Sequence, residues 1–388
     1  MMSEAGSGFL SVSVGWTIYS IRHQPLDLGL VGLVQFIPSL LLVFVAGPAI
    51  DKFNRKNIMV AAAVASMLCA FTLGGLQFIH IKSVSLMLGV LFCQGIARAF
   101  GSPAERTILV NLVEPGAYMR VQAAYNSARE VVSIAAPALA GFIVSFSESL
   151  SFTITGCLIF GAVIGFSLLH VRPTVRTGNV VSASSALGGV RFMRSRPIVL
   201  GAISLDLFAV LFGGATALLP VYAVQILNAG GFVFGLLRSS TAIGASLTAI
   251  YLTRHPPRRT VGRTMLLAVA GYGISMIAFA YSRNVFLSMA ALALSGGFDM
   301  ISVVIRRGLV AFNTPDEMRG RVASIESVFV LASSYLGSFE SGVAAQIFGP
   351  VLGVALGGLA TLGVVATWAL KFPSLGKSDR IDEGAPRA

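Results

Sequence analysis

Charge is scarce in this sequence. Of 388 residues only 11% are Asp, Glu, Lys or Arg, against roughly a quarter in soluble domains. So little charge cannot clothe a water-exposed surface, which excludes an ordinary soluble enzyme or binding module. Histidine is rarer still. His23, His80, His170 and His255 each stand at the edge of an apolar block, and none has ligand spacing such as His-x-x-x-His. No metal centre and no cofactor is therefore expected, and the chain is not expected to be an enzyme. Cys69, Cys93 and Cys157 all fall inside apolar blocks. That leaves no disulfide framework, and cysteine there packs as a small apolar residue. No Gly-x-x-x-x-Gly-Lys-Ser/Thr run occurs, so the chain does not itself hydrolyse ATP.

What fills the space is apolar: 55% of the residues. Leu28–Ile50, Ile58–Ile79, Leu150–His170, Thr264–Ser282 and Pro350–Leu370 carry no Asp, Glu, Lys or Arg. Each exceeds the roughly 18 apolar residues that mark a membrane helix. Backbone at that depth must bond to itself, so these blocks are helices. The other spans lie at Gly6–Ile21 and, interrupted by one or two charges each, at Val84–Pro103, Val121–Phe146, Ile198–Ala223, Phe232–Thr253, Val285–Ile305 and Val322–Ile347. The expectation is an all-α integral membrane protein of twelve transmembrane helices with the first one short. That first span offers ~24 Å of apolar helix against a ~30 Å hydrocarbon core. A signal peptide would need basic residues ahead of it, where only Glu4 stands. The reading is a short or N-terminally truncated first helix.

The net charge of +12 invites a nucleic-acid partner, and its distribution argues against one. Alternate connections hold Lys52/Arg55/Lys56, Arg98/Arg106/Arg120, Arg172/Arg176/Arg191/Arg194/Arg196, Arg254/Arg258/Arg259/Arg263, Arg306/Arg307/Arg319/Arg321 and Lys371/Lys377/Arg380/Arg387. The opposite side holds Arg22, Lys82 and Arg283. The positive-inside rule then puts both termini in the cytoplasm. The partner of the basic balance is the lipid bilayer.

The two halves repeat at a spacing near 200 residues. Arg106-Thr-Ile-Leu-Val-Asn-Leu-Val-Glu-Pro115, followed by Arg120-Val121, parallels Arg307-Gly-Leu-Val-Ala-Phe-Asn-Thr-Pro315, followed by Arg321-Val322. Gly32-Leu-Val-Gln35 parallels Gly235-Leu-Leu-Arg238. Parallel repeats imply two pseudo-symmetric six-helix bundles about an axis along the membrane normal, the build of a rocking transporter with its site between the halves. The expected domains are residues 1–170, a cytoplasmic linker 171–197, a second bundle 198–371 and a tail 372–388. Leu187-Gly-Gly-Val-Arg-Phe-Met193 in the linker reads as a short surface helix.

At the end of the second span runs Gly47-Pro-Ala-Ile-Asp51-Lys-Phe-Asn-Arg55-Lys56. It resembles the Gly-x-x-x-Asp-x-x-x-Arg-Lys loop of the major facilitator superfamily, at the family's position. Val14-Gly-Trp16, Gly29-Leu-Val-Gly-Leu-Val-Gln-Phe-Ile-Pro38, Gln94-Gly-Ile-Ala-Arg98 and Thr314-Pro-Asp-Glu-Met-Arg-Gly-Arg321 are similar to the branch containing the enterobactin exporter and macrolide-type efflux proteins. The resemblance implies the major facilitator fold in a bacterial inner membrane and secondary export of a small amphipathic molecule against protons. An uptake symporter is the alternative, and a non-transporting sensor or scaffold a remoter one. A monomer is expected. Ala136-Pro137 stands where export-type relatives often carry Gly-Pro, and the second half's matching loop, near Arg254, lacks the acid.

Charges inside spans are the candidate machinery, since each costs at least roughly 2.5–3.5 kcal/mol in lipid and calls for a partner or a wet cavity. Gly47, Asp51, Arg55, Lys56 and Arg98 form the candidate gating motif, with Asp51 a latch that caps a facing helix or pairs with Arg55 or Arg98. Arg129, Asp206, Asp299, Glu130 and Glu326 fall in the inner half, and the bland reading for them is a structural ion-pair network. The sharper reading is proton coupling, with Asp206 and Asp299 foremost because their sequence neighbours are apolar and protonation removes the cost of burying the charge. Gln35, Arg238 and Glu340 are outer-gate candidates. Trp16, Phe36, Tyr125, Tyr222 and Phe298 are candidate cavity aromatics, each more simply read as core packing.

Overall fold

Peptide groups that leave water must find one another. The computed structural model describes residues 1–113, 115–169, 183–257 and 259–379, and every regular element among them is a helix. In chain order these are α1 (Met2–Arg22), α2 (Pro25–Lys52), α3 (Arg55–Phe78), α4 (Val84–Leu112), α5 (Pro115–Val144), α6 (Glu148–Leu168), α7 (Ala183–Ser195) and α8 (Pro197–Gly213). A short 3-10 turn, α9 (Leu219–Val221) and a π turn (Tyr222–Ile226) follow. Then come α10 (Gly231–Arg254), α11 (Val261–Tyr281), α12 (Val285–Phe312), α13 (Asp316–Phe348), α14 (Pro350–Lys371) and α15 (Pro373–Lys377). Eleven segments among the described residues are long and apolar enough to cross a membrane. The long helix outside that set is α1.

Its apolar stretch is short, but the helix is not. It has 21 residues, about 31 Å at 1.5 Å per residue. The reason for its polarity is packing. It lies against α2, α5 and α6, and its hydroxyls and charges find partners on its neighbours. Ser3 Oγ donates to Glu105 Oε1 at 2.9 Å, and Glu4 Oε1 meets Arg129 Nε at 2.9 Å. Ser13 and Ser151, both fully buried, share a hydrogen bond of 2.6 Å, and Ser20 Oγ donates to Glu148 Oε1 at 2.8 Å.

The helices group into two units: Met1–Val181 with Ala223–Ser239, and Ser182–Tyr222 with Ser240–Ala388. In the first, α3 packs on α4 and α6, and α2 on α4. Pro137 inside α5 removes one backbone donor. Close by, Ser239 Oγ donates to the Ile134 carbonyl at 2.7 Å. Gly141 and Gly235 make the adjoining contact: a Cβ on Gly141 would fall 2.6 Å from the Gly235 Cα, a small-residue crossing of the kind membrane helices favour.

In the second unit α11 packs on α12 and α14, and α8 on α13 and α14. Ala202, Leu205, Ala209, Met265, Val269, Ile305 and Leu309 share one buried cluster. The seventh apolar block, expected as one continuous span, is broken. The α8 helix stops at Gly213, and the chain resumes as 3-10, α and π turns. The freed carbonyls are claimed by side chains: Tyr272 donates to Gly213 O at 2.8 Å and Ser341 to Gly214 O at 3.2 Å. Gly337 lets α13 approach the break, since a Cβ there would lie 2.8 Å from the Leu211 carbonyl oxygen. The expected linker helix is present as α7, packed on α13 with Met193 buried among Val199, Ile203, Val322 and Ile325. In the tail, Asp379 Oδ1 accepts from Thr260 N at 2.9 Å at the start of α11. The linker residues 170–182 and the tail after Asp379 lie outside the described residues.

Candidate functional site

One helix face organises the second unit. Asp299, Ser302 and Arg306 stand at i, i+3 and i+7 on α12, a spacing that stacks them on one side. Arg306, which its sequence position reads as a flanking anchor, is 4% exposed. Its Nη1 lies 3.2 Å from Asp206 Oδ2 on α8 and 3.1 Å from Glu326 Oε1 on α13. Its Nε has no hydrogen-bond partner. Asp206, singled out in the sequence for its apolar neighbours, thus has a fixed cation beside it, Arg306. A buried pair of this kind is strongly coupled, because removing one member strands the other.

Asp299 differs. It is half-buried and makes no ion pair among the described residues. It lines a cavity with Asp206, Ala209, Val210, Val269, Tyr272, Phe298 and Ser302. The free volume is about 10 Å³, on the scale of one water. Of the candidate carboxylates, then, Asp206 and Glu326 meet through Arg306, while Asp206 and Asp299 meet around the cavity. Glu130 belongs to the other unit and is half-buried on α5.

The candidate gating motif lies at a helix junction. Gly47 and Asp51 lie in α2, and the Asp51 side chain is outside what the structure describes. Asn54 caps α3 by accepting from Lys56 N at 2.9 Å, which puts Arg55 and Lys56 in the first turn, where no acid stands. Two cations there oppose the helix dipole. Arg98 is exposed on α4. Of the outer-gate candidates, Gln35 is half-buried on α2, and its backbone carbonyl accepts from Ser39 Oγ at 3.0 Å. Arg238 Nη2 donates to Ser11 Oγ at 2.8 Å. Glu340 is half-buried on α13 beside Ser341. Gln35 and Arg238 belong to the first unit, Glu340 to the second. Among the aromatics, Phe298 lines the cavity. Trp16 stacks on Phe234 at 6.2 Å, and Tyr222 is fully buried, donating to Ala280 O and Pro350 O.

Sequence reasoning missed Tyr272, Ser302 and the role of Arg306. The i, i+3, i+7 spacing on α12 was the available signal for the last two. Tyr272 is uncharged within an apolar block, and nothing local marks it.

A family model described as Major Facilitator Superfamily matches residues 1–338. The chain belongs to the major facilitator superfamily. Similar superfamily members include the staphyloferrin A transporter of Staphylococcus aureus, 23% identical over 92% of this chain and 90% of that one. The multidrug efflux pump Tap of Mycobacterium tuberculosis is 26% identical over 98% and 93%. Among solved structures, a D-xylose-proton symporter matches with TM-score 0.73 at 13% identity, covering 97% of each chain. That likeness carries the superfamily fold. Family and neighbours alike are transporters, so this is a multi-pass membrane transporter of small molecules.

Proposed function

We propose that this transporter exports a small amphipathic compound, a drug, a siderophore or a related molecule, by alternating access driven by inward proton flow. It works as a monomer in a bacterial inner membrane with both termini cytoplasmic, built from six-helix halves at residues 1–170 and 198–371. The observation that carries the coupling reading is Arg306 bridging Asp206 and Glu326, with Asp299, which makes no ion pair among the described residues, lining a cavity beside Asp206. Uncompensated charge is costly inside a membrane, so proton uptake and release at Asp299 and Asp206 changes the energy of this packing. A two-state element biased by such a change is what coupling requires. Outward direction is supported by the efflux-pump relative, and cytoplasmic termini by the basic bias of alternate connections. In this reading Asp51, Arg55, Lys56 and Arg98 gate the cytoplasmic side, and Gln35, Arg238 and Glu340 the other.

The test is proton-driven transport in everted vesicles from an efflux-deficient host, with substrates drawn from a susceptibility screen. Asp299→Asn and Asp206→Asn are expected to abolish proton-driven accumulation while leaving counterflow. Full coupling in both variants would sink the reading. Counterflow in oriented vesicles separates export from uptake.

A further inference from the structure

We infer that the cavity between α8, α11 and α12 is a sodium site, with Asp299, Asp206, Ser302 and Tyr272 as its oxygen ligands. Donors and acceptors around it do not balance. Tyr272 has already given its only proton to the Gly213 carbonyl, at 2.8 Å, which leaves its lone pairs for the cavity. Asp206 uses Oδ2 on Arg306, so Oδ1 remains an acceptor. Asp299 offers two acceptor oxygens and makes no ion pair among the described residues. Ser302 is 2% exposed, lines the same cavity, and its hydroxyl has no hydrogen-bond partner. A buried orphan hydroxyl is uncommon and calls for an explanation. A cavity whose polar lining is almost wholly acceptors is matched by something positive.

Charge points the same way. The cluster holds three carboxylates and one paired guanidinium, and Arg307, the next residue on α12, is exposed. The break at Gly213 adds the negative end of α8 one phenol away. Interrupted membrane helices present carbonyl ends to small cations in just this way.

Size and ligand type then choose the ion. All four ligands are hard oxygens, which excludes soft transition metals. The free volume, about 10 Å³, is on the scale of one water and has no room for the several waters that magnesium retains. An unhydrated monovalent ion fits.

The site shares its carboxylates with the proton-coupling reading and rests on that reading only for its location. The experiment is equilibrium binding of radioactive sodium to the purified full chain in detergent at mildly alkaline pH. Wild type is expected to show a single saturable site that excess magnesium does not displace. Asp299→Asn should abolish binding. Ser302→Ala, which removes one oxygen and little volume, should weaken it roughly five- to tenfold, the scale of one polar ligand. Glu148→Gln, at the start of α6 in the other unit, should bind as wild type. Should Asp299→Asn fail to fold, Ser302→Ala and a sodium-dependent rise in the wild-type unfolding temperature carry the test. Absence of saturable binding in wild type, displacement by magnesium, or binding retained at wild-type strength in Asp299→Asn or Ser302→Ala overturns the proposal. If wild type binds no sodium and Asp299→Asn still loses proton-driven transport, the sodium site falls and the coupling reading stands. If wild type binds sodium and Asp299→Asn keeps full proton coupling while losing that binding, the sodium site stands and Asp299 drops out of the coupling reading.

Discussion

The hydroxyl of Tyr272 on α11 donates to the carbonyl of Gly213, the last residue of α8, at 2.8 Å. One side chain thereby closes off a helix end and joins two helices of the second unit. Tyr272→Phe keeps the ring and strands that carbonyl. The expected loss is about 1–3 kcal/mol, the cost of an unsatisfied buried acceptor. It is read as a lower thermal unfolding midpoint in detergent; an unchanged midpoint would mean the carbonyl finds another donor.

Gly337 should tolerate nothing larger. A Cβ there would stand 2.8 Å from Leu211 O and 2.9 Å from Val210 O, backbone atoms that cannot swing aside. Gly337→Ala is expected to cost about 1–3 kcal/mol, as overpacking does. Gly363→Ala on α14, where nothing lies within 4 Å of the added atom, should leave the midpoint unchanged. Paired thermal unfolding of the two variants checks the contrast.

Arg306→Met leaves Asp206 and Glu326 facing each other without their shared guanidinium. Breaking a buried ion pair from one side costs about 3–5 kcal/mol. Adding Asp206→Asn and Glu326→Gln to the same chain should recover most of that loss. A triple variant no more stable than Arg306→Met would show that the guanidinium's packing, not its charge, holds the site.

Two contacts of α1 should separate by exposure. Arg129 is 53% exposed and Glu4 31%, so solvent screens the pair and Arg129→Gln should cost less than about 1 kcal/mol. Ser13→Val is different. It leaves the fully buried Ser151 hydroxyl without its 2.6 Å partner and should cost about 1–3 kcal/mol. Midpoints from thermal scans, with proteolysis as a second readout, rank the two.

The Asp379 carboxylate accepts from Thr260 N at 2.9 Å and supplies an acid to the start of α11. Asp379→Ala should cost about 0.5–2 kcal/mol, the range for losing a helix cap. Asp379→Asn, which keeps the acceptor oxygen, should cost less. Limited proteolysis near Thr260 is the local readout.

Helix number and the repeat were legible because they rest on long apolar blocks and on local motifs. The paired runs ending at Pro115 and Pro315 do fall at matching junctions, Pro115 opening α5 and Pro315 preceding α13. The charges inside spans were legible too, since lipid makes each one conspicuous. Partners were not, because they come from helices distant in sequence. Arg306 sits at a span's end and reads as an anchor, yet its guanidinium is buried against α8 and α13. The break at Gly213–Gly214 was equally hidden. Gly-Gly is common in membrane helices, and what makes this pair a stop is Tyr272, Ser341 and the close approach of Gly337.

The polar character of α1 also bears on topology. Scored by hydropathy, the described residues hold eleven candidate crossings, and an odd count would send the two ends into different compartments. If α1, which turns its serines and charges to neighbouring helices, also crosses, the parity is even and both ends share one compartment. Reporter fusions at Met1 and after Asp379 that light up on the same side of the membrane would register one helix that hydrophobicity alone overlooks.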